Sequence, residues 1–218
     1  YLERPHGKGK LIPAPEGLKP AKVAIIGSGV VGIAACRIAS AMGAKVIVIG
    51  RNEKQLDNIK SIFNVETMIS NPENIAKAVA ESDLVVGSVA ITGAKAPKLV
   101  TRDMIRKMQY GSVVVDVSID QGGCFETSRP TTHENPIYIE EGVIHYCVTN
   151  MPALVPHTST IALTTATLPY VLKLAEGFNK AIKDEAIAKG VNTYKGKLTN
   201  LGVAEAFDMQ YIPLEELI

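Results

Sequence analysis

Charge of one sign is what this sequence has least of: 23 Lys and Arg stand against 22 Asp and Glu, a formal net charge of +1 over 218 residues. A balance of that kind gives no electrostatic case for binding nucleic acid or an anionic membrane. Long apolar runs are missing too. No stretch approaches the ~18 apolar residues that read as a membrane span, so the 46% of apolar residues belong in a core. The first residues, Tyr1-Leu2-Glu3-Arg4-Pro5-His6, carry charge and lack the apolar centre of a secretory signal, and the expected location is cytoplasmic. Cysteine is scarce and unevenly spaced, at Cys36, Cys124 and Cys147, which suits a reducing compartment better than a disulfide framework. None belongs to a C-x-x-C pair, and no residues cluster at metal-ligand spacing, so no metal is expected. Internal repeats and low-complexity segments are absent. The histidines offer no nucleophilic arrangement: His6 lies near the start, His133 in a polar loop, His145 alternates within a strand and His157 follows a proline.

What is present is concentrated between Lys22 and Arg51. Val23 to Ile26 is a short, largely β-branched apolar run, followed at once by Gly27-Ser28-Gly29-Val30-Val31-Gly32. This G-x-G-x-x-G pattern leads into a helical stretch and then a second strand, the order a dinucleotide fingerprint requires. Gly27 is expected to make the tight turn, Gly29 to let the backbone approach a pyrophosphate, and Gly32 to let helix and strand pack closely. The N–H groups and dipole of the helix start favour phosphate without a basic side chain.

Downstream, helical spacing over Asn52 to Phe63, a strand at Val65 to Ile69 and a polar helix start at Ser70-Asn71-Pro72-Glu73 repeat the alternation. Asp83 to Val89 and Ser112 to Val117 read as strands buried on both faces. Between them lie a loop at Thr92 to Pro97 and a helix over Thr101 to Met108. The segment Ile119 to Pro136 reads as irregular, Gly142 to Val148 as the last strand, and 159–181 as one helix. The fold class is therefore α/β, a doubly wound parallel sheet of Rossmann type with helices on both faces and further helices at the C-terminal end. The expected divisions are a connector at 1–20, where Pro5, Pro13, Pro15 and Pro20 fall among basic residues, a dinucleotide-binding domain at 21–158 and a helical segment at 159–218.

Ligands of open α/β sheets bind beyond the carboxyl ends of the strands, so the residues after each strand are the candidates. After the second strand, where a carboxylate would bond the adenosine ribose, stand Gly50-Arg51-Asn52. Without a carboxylate nothing repels a 2′-phosphate, and the Arg51 guanidinium suits one, which leans the cofactor from NAD(H) toward NADP(H). Alternatively Gly50 is merely permissive and Arg51 a solvated charge. Ser70 either reaches the adenine end or caps the following helix. Ser88 to Thr92, with Val89 and Ala90, passes the pyrophosphate or ribose. After the fifth strand, Val117 and then Ser118-Ile119-Asp120-Gln121-Gly122-Gly123 put an acidic side chain and two glycines at a strand end, better explained by a site than by packing. Asp116 reads as structural. Val148, Asn150 and Met151 fall where the nicotinamide would lie.

Four stretches together resemble the alanine dehydrogenase family: Gly27 to Gly32, TGAKAPKLV from Thr92, VDVSIDQGGCFETSRPTTHENP from Val115, and YCVTNMPALVPHTSTIALT from Tyr146. The resemblance covers essentially the whole chain. It implies reversible oxidative deamination of L-alanine to pyruvate and ammonia, with hydride passing to a nicotinamide dinucleotide, and a homo-oligomer as the working form. It gives Asp120 the nicotinamide ribose and a catalytic place near the substrate, Val148, Asn150 and Met151 the nicotinamide side, and Ser70 the adenine end. It also implies a separate substrate domain, holding the family's substrate-binding and proton-transfer residues ahead of the glycine turn, to which Ser159 onward would return. Gly50 departs from the acidic residue usual in the family. The alternatives are an NADP-linked, opine-like reductive condensation of a keto acid with an amino acid, the NAD(H)-binding domain of a transhydrogenase, and a nucleotide-binding module without chemistry.

Overall fold

The computed structural model describes residues 1–91 and 95–218. Its centre is a run of parallel strands, β1 (Lys22–Ile26), β2 (Lys45–Gly50), β3 (Glu66–Ile69), β4 (Leu84–Gly87) and β5 (Val113–Asp116). With β6 (Ile137–Glu140) and β7 (Val143–Tyr146) they form one seven-stranded sheet ordered β3-β2-β1-β4-β5-β7-β6. Four helices cover it: α1 (Val30–Ala41), α2 (Glu53–Phe63), α3 (Pro72–Glu81) and α4 (Arg102–Arg106).

Alternation along the strands decides which helix packs where. Val23 and Ile25 of β1, with Val46 and Val48 of β2, meet Cys36 of α1 and Leu56 and Ile59 of α2. Ala24 and Ile26, with Ile49, Val85 and Val114, meet Ile75, Ala78 and Val79 of α3 and Ile105 of α4 on the opposite face. Both faces of the central strands are buried, and the inner residues of β1, β2, β4 and β5 are apolar for that reason. The helix starts are set by polar caps: Asn52 Oδ1 accepts from Gln55 N at 3.1 Å, and Asn71 Oδ1 from Asn74 N at 2.8 Å with Pro72 in the first turn. The cap of α3 is thus Asn71 and not Ser70.

Several elements differ from the sequence expectation. The sheet is not wholly parallel, since β6 pairs antiparallel with β7. The two residues joining them, Glu141 and Gly142, have φ of 53° and 75°, the mirror-image turn whose twist suits a two-residue hairpin. The helix expected over 101–108 shrinks to Arg102–Arg106, with Thr101 as its cap. The helix expected over 159–181 begins earlier, at Pro156, and is two helices: α5 (Pro156–Ala175) and α6 (Phe178–Ala181), separated where Gly177 takes φ 114°.

The chain divides into two compact units, Tyr1–Ala90 with Ala96–Thr149, and Ile91–Lys95 with Asn150–Ile218. Residues 1–20 belong to the first unit and are tied to the amino edge of the sheet. Leu2 is buried against Val113 and Ile144, and Asp83 takes ion pairs from Lys8 and Lys10 while accepting from Lys22 N at 2.8 Å. The second unit holds α5 and α6, then α7 (Glu185–Gly190), a small antiparallel pair β8 (Thr193–Tyr194) and β9 (Lys197–Leu198), and α8 (Leu201–Phe207). The β8–β9 pair, turning through Lys195 and Gly196 with positive φ, has no counterpart in the sequence reading. No residue of α5 is buried. Among the described residues no helix is long and apolar enough to cross a membrane.

Candidate functional site

Parallel pairing delivers the turns after β1 to β5 to one edge of the first unit. The order reverses between β1 and β4, which are neighbours in the sheet although two strands separate them in sequence. The glycine turn sits at this reversal. It is stitched to both sides: Gly27 N donates to Ile49 O at 2.8 Å, Ser88 N to Ile26 O at 2.8 Å, and Ser88 Oγ to Ile26 O at 3.0 Å. The three glycines have separate causes. At Gly27, φ is 114° and a Cβ would stand 2.5 Å from Ser88 O; at Gly32, a Cβ would stand 1.9 Å from Gly27 O, so the helix reaches the strand only without a side chain. Gly29 has ordinary φ of −73°, and a Cβ there would meet nothing within 4 Å. Gly29 is also the N-cap of α1 and provides no side-chain hydrogen bond, leaving the first-turn N–H groups beside Val30 and Val31 without a cap.

At the end of β2, Gly50 is buried with Ser28 against it, and the Ser28 hydroxyl donates to Gln55 Oε1 at 2.9 Å. Arg51 and Asn52 are exposed, Asn52 as the cap of α2, and Arg51 forms no ion pair among the described residues. Ser70, after β3, is half-buried and its N donates to Gly50 O at 2.8 Å. Val89 and Ala90 follow β4, and Thr92, Gly93 and Ala94 of the Thr92–Pro97 loop lie outside the described residues. Sequence reasoning missed Gln55 and the tie made by Ser88. A glutamine one turn into α2 carries no spacing signal relative to Ser28.

At the end of β5, the buried Asp116 carboxylate organises the segment that carries Asp120. Its Oδ1 accepts from Ser118 N at 3.0 Å, and its Oδ2 from Cys124 N at 2.9 Å and Ser128 Oγ at 2.6 Å. Gly123, with φ 76°, has its own packing cause, because a Cβ would stand 2.6 Å from Asp116 Oδ2. Gly122 has φ 91° and open space around it. Asp120 is exposed on the short 3-10 turn Ile119–Gln121, and Val117 N joins this strand end to Gly87 O at 2.9 Å. Burial, and next the Asp116 charge, push the Cys124 thiol up, while burial raises Cys147; all three cysteines are free and buried. Burial of this kind disfavours the thiolate, the reactive form.

Val148 is buried in the first unit, bridged to Thr131, whereas Asn150 and Met151 belong to the second. His145 is fully buried, its Nδ1 on Val143 O at 3.0 Å and its Nε2 on Thr127 Oγ1 at 2.8 Å, and burial lowers its pKa. It ties β7 to the turn at Thr127. A cavity of about 190 Å³ lies at the opposite, amino edge, lined among others by Lys22, Lys45, Glu66, Lys77 and Glu81. The pairs Lys22–Glu81 and Lys45–Glu66 neutralise most of its charge. Strand polarity, not cavity size, locates the site at the glycine turn.

A reversed strand order with a glycine turn at the reversal and an uncapped helix start behind it defines a Rossmann-type dinucleotide-binding domain. The family model described as alanine dehydrogenase/PNT, C-terminal domain, matches residues 1–201. The chain belongs to that family, and membership implies a nicotinamide dinucleotide as cofactor. Alanine dehydrogenase of Halomonas elongata is 50% identical over 216 residues, 97% of this chain and 58% of the relative. A solved L-alanine dehydrogenase superposes with a TM-score of 0.84 at 45% identity, over 95% of this chain and 58% of that one. A transhydrogenase from Sinorhizobium meliloti follows at 0.59 and 25%, over 65% and 43% of the two chains. The chain thus spans 58% of the length of the alanine dehydrogenases it matches.

Proposed function

We propose that this chain is the cofactor-binding part of an alanine dehydrogenase, which converts L-alanine, water and an oxidised nicotinamide dinucleotide to pyruvate, ammonium, the reduced dinucleotide and a proton. The observation that carries the reading is Gly29: its two companions are glycines because protein atoms leave no room, and it is a glycine facing open space at an uncapped helix start. That is the geometry a pyrophosphate needs. The names and identities of the relatives support alanine as substrate, and the greater likeness to the dehydrogenase favours it over a transhydrogenase.

In this reading the backbone from Gly27 to Gly32, with Ser28, Val30 and Val31, holds the pyrophosphate. Gly50, Arg51 and Asn52 meet the adenosine ribose, Ser70 the adenine, and Val89 and Ala90 the central phosphates and ribose. Val117 and Asp120 hold the nicotinamide ribose, Asp120 standing toward the substrate, and Val148, Asn150 and Met151 line the nicotinamide side. The bound dinucleotide supplies the hydride acceptor; the residues named here bind and orient it. The exposed guanidinium of Arg51 beside a strand end without a carboxylate supports NADP(H) over NAD(H). The helix α5, exposing Ile161, Leu163, Leu168, Val171, Leu172 and Leu174, supports a reading of 159–218 as part of a substrate domain and of the working form as a homo-oligomer.

Fluorescence titration with NADPH and NADH in parallel tests the cofactor reading. NADPH binds tighter, and Arg51→Ala weakens NADPH by about 1–3 kcal/mol, the loss of a charge-assisted pair, while leaving NADH unchanged. Equal loss for both cofactors overturns the role of Arg51. For the reaction, the protein that carries this chain is assayed with L-alanine. Turnover only when pyruvate is supplied with a second amino acid replaces the reading with reductive condensation.

A further inference from the structure

The glycine at position 50 is not there for its backbone freedom, since it is absent from the residues with positive φ. It is there for space. A Cβ on Gly50 would stand 2.4 Å from Ser28 Oγ, 2.8 Å from Ser28 Cβ and 3.1 Å from Leu56 Cδ2. The flexible end of a long side chain would swing aside, but Ser28 is short and buried, and its hydroxyl is engaged. That engagement is the hydrogen bond to Gln55 Oε1. Gln55 is itself fixed at the start of α2 through its N–H to Asn52 Oδ1. A glutamine amide has one acceptor oxygen and two N–H donors. With its oxygen taken by Ser28, Gln55 has donors left to offer, and Arg51, directly after Gly50 in the chain, is donor-only as well.

We propose that Ser28 and Gln55 determine cofactor specificity together with Gly50: Ser28 closes the strand end to an acidic side chain and turns Gln55 so that its amide hydrogens join Arg51 in meeting a ribose 2′-phosphate. The proposal deepens the NADP(H) reading and rests on it for the ligand, but the closure of position 50 by Ser28 is testable apart from it. A carboxylate at position 50 alone is opposed first by Ser28, 22 positions earlier in the glycine turn, whose two atoms stand nearest.

The experiment compares Gly50→Asp, Ser28→Gly and the double variant, together with Gln55→Leu, in the protein that carries this chain, by NADPH and NADH titration and thermal melting. Gly50→Asp alone melts lower and gains less than about threefold in NADH affinity, whereas the double variant recovers the melting temperature of Ser28→Gly and binds NADH about tenfold tighter than the single. Gln55→Leu loses about tenfold in NADPH affinity with NADH within about twofold. A Gly50→Asp protein that matches the double variant in melting and in NADH affinity overturns the closure, and a Gln55→Leu protein that binds NADPH undiminished overturns the role of the amide. A wild-type protein that prefers NADH refutes the cofactor reading and the Gln55 role, while the single-versus-double comparison still decides the closure. Should Gly50→Asp fail to fold, Gly50→Ala serves: it lowers the melting temperature in the wild type and not in the Ser28→Gly background, and an equal effect in both overturns the proposal.

Discussion

An alanine methyl at position 32 would be driven into the Gly27 carbonyl at 1.9 Å, whereas one at position 29 would touch no protein atom within 4 Å. The two substitutions therefore separate folding from binding. Gly32→Ala is expected to cost about 2 kcal/mol or more in a urea melt, a strain that only movement of α1 away from β1 relieves. Gly29→Ala should stay within about 0.5 kcal/mol of the wild type and still lose at least about tenfold in dinucleotide affinity. If Gly29→Ala unfolds as readily as Gly32→Ala, the middle glycine serves the protein and the case for a pyrophosphate there fails. The sequence pattern made all three glycines legible without ranking them, since ranking needs the atoms around each. Ser28 and Gln55 were illegible as a pair, because only the crossover through β2 brings residues 27 positions apart into contact.

At the scale of elements, the buried parallel strands were legible because each carries a short run of consecutive apolar residues bounded by polar or glycine turns. What escaped was β6, whose Ile137-Tyr138-Ile139-Glu140 is too short and too mixed to announce itself beside an irregular segment. The break at Gly177 escaped for another reason: apolar residues continue at helical spacing across it, and the left-handed φ shows only in the folded backbone. The segment from Ile119 onward was legible as irregular but not as ordered. Its order comes from Asp116, which accepts from Ser118 N, Cys124 N and Ser128 Oγ. Asp116→Asn turns one acceptor oxygen into a donor facing other donors, and is expected to cost about 2–3 kcal/mol in a urea melt. Since Asp120 rides on this segment, amide exchange at 118–125 should quicken in the same variant. Unchanged stability with unchanged exchange would mean the loop is held by its backbone bonds alone.

For the molecule as a whole, two buried titratable groups, Asp83 and His145, make the first unit sensitive to acid in separate ranges. Burial alone would push the Asp83 carboxyl up, but hydrogen bonds from Lys10, Lys8 and the Lys22 N–H outweigh it and bring it below its ordinary 3.8. His145 is lowered from its ordinary 6.5 by burial, opposed by its bond to Val143 and the charges of Glu140 and Asp116. Both groups bind a proton more readily in the unfolded chain than in the folded one, so in both ranges stability falls as pH falls. The His145 contribution is complete above pH 6.5 and lost as pH drops below it, and the Asp83 contribution is complete above pH 3.8 and lost below that. Urea midpoints should therefore decline in two steps on acidification, the first of them well above the carboxylate range. His145→Gln removes the first step and keeps the second, at the cost of a lower midpoint near neutrality because Thr127 and Val143 lose their partner. A wild-type midpoint that holds constant from about pH 7 to about pH 5 would show that the imidazole protonates as easily inside the sheet as in water, against the physical expectation for a group with no access to solvent.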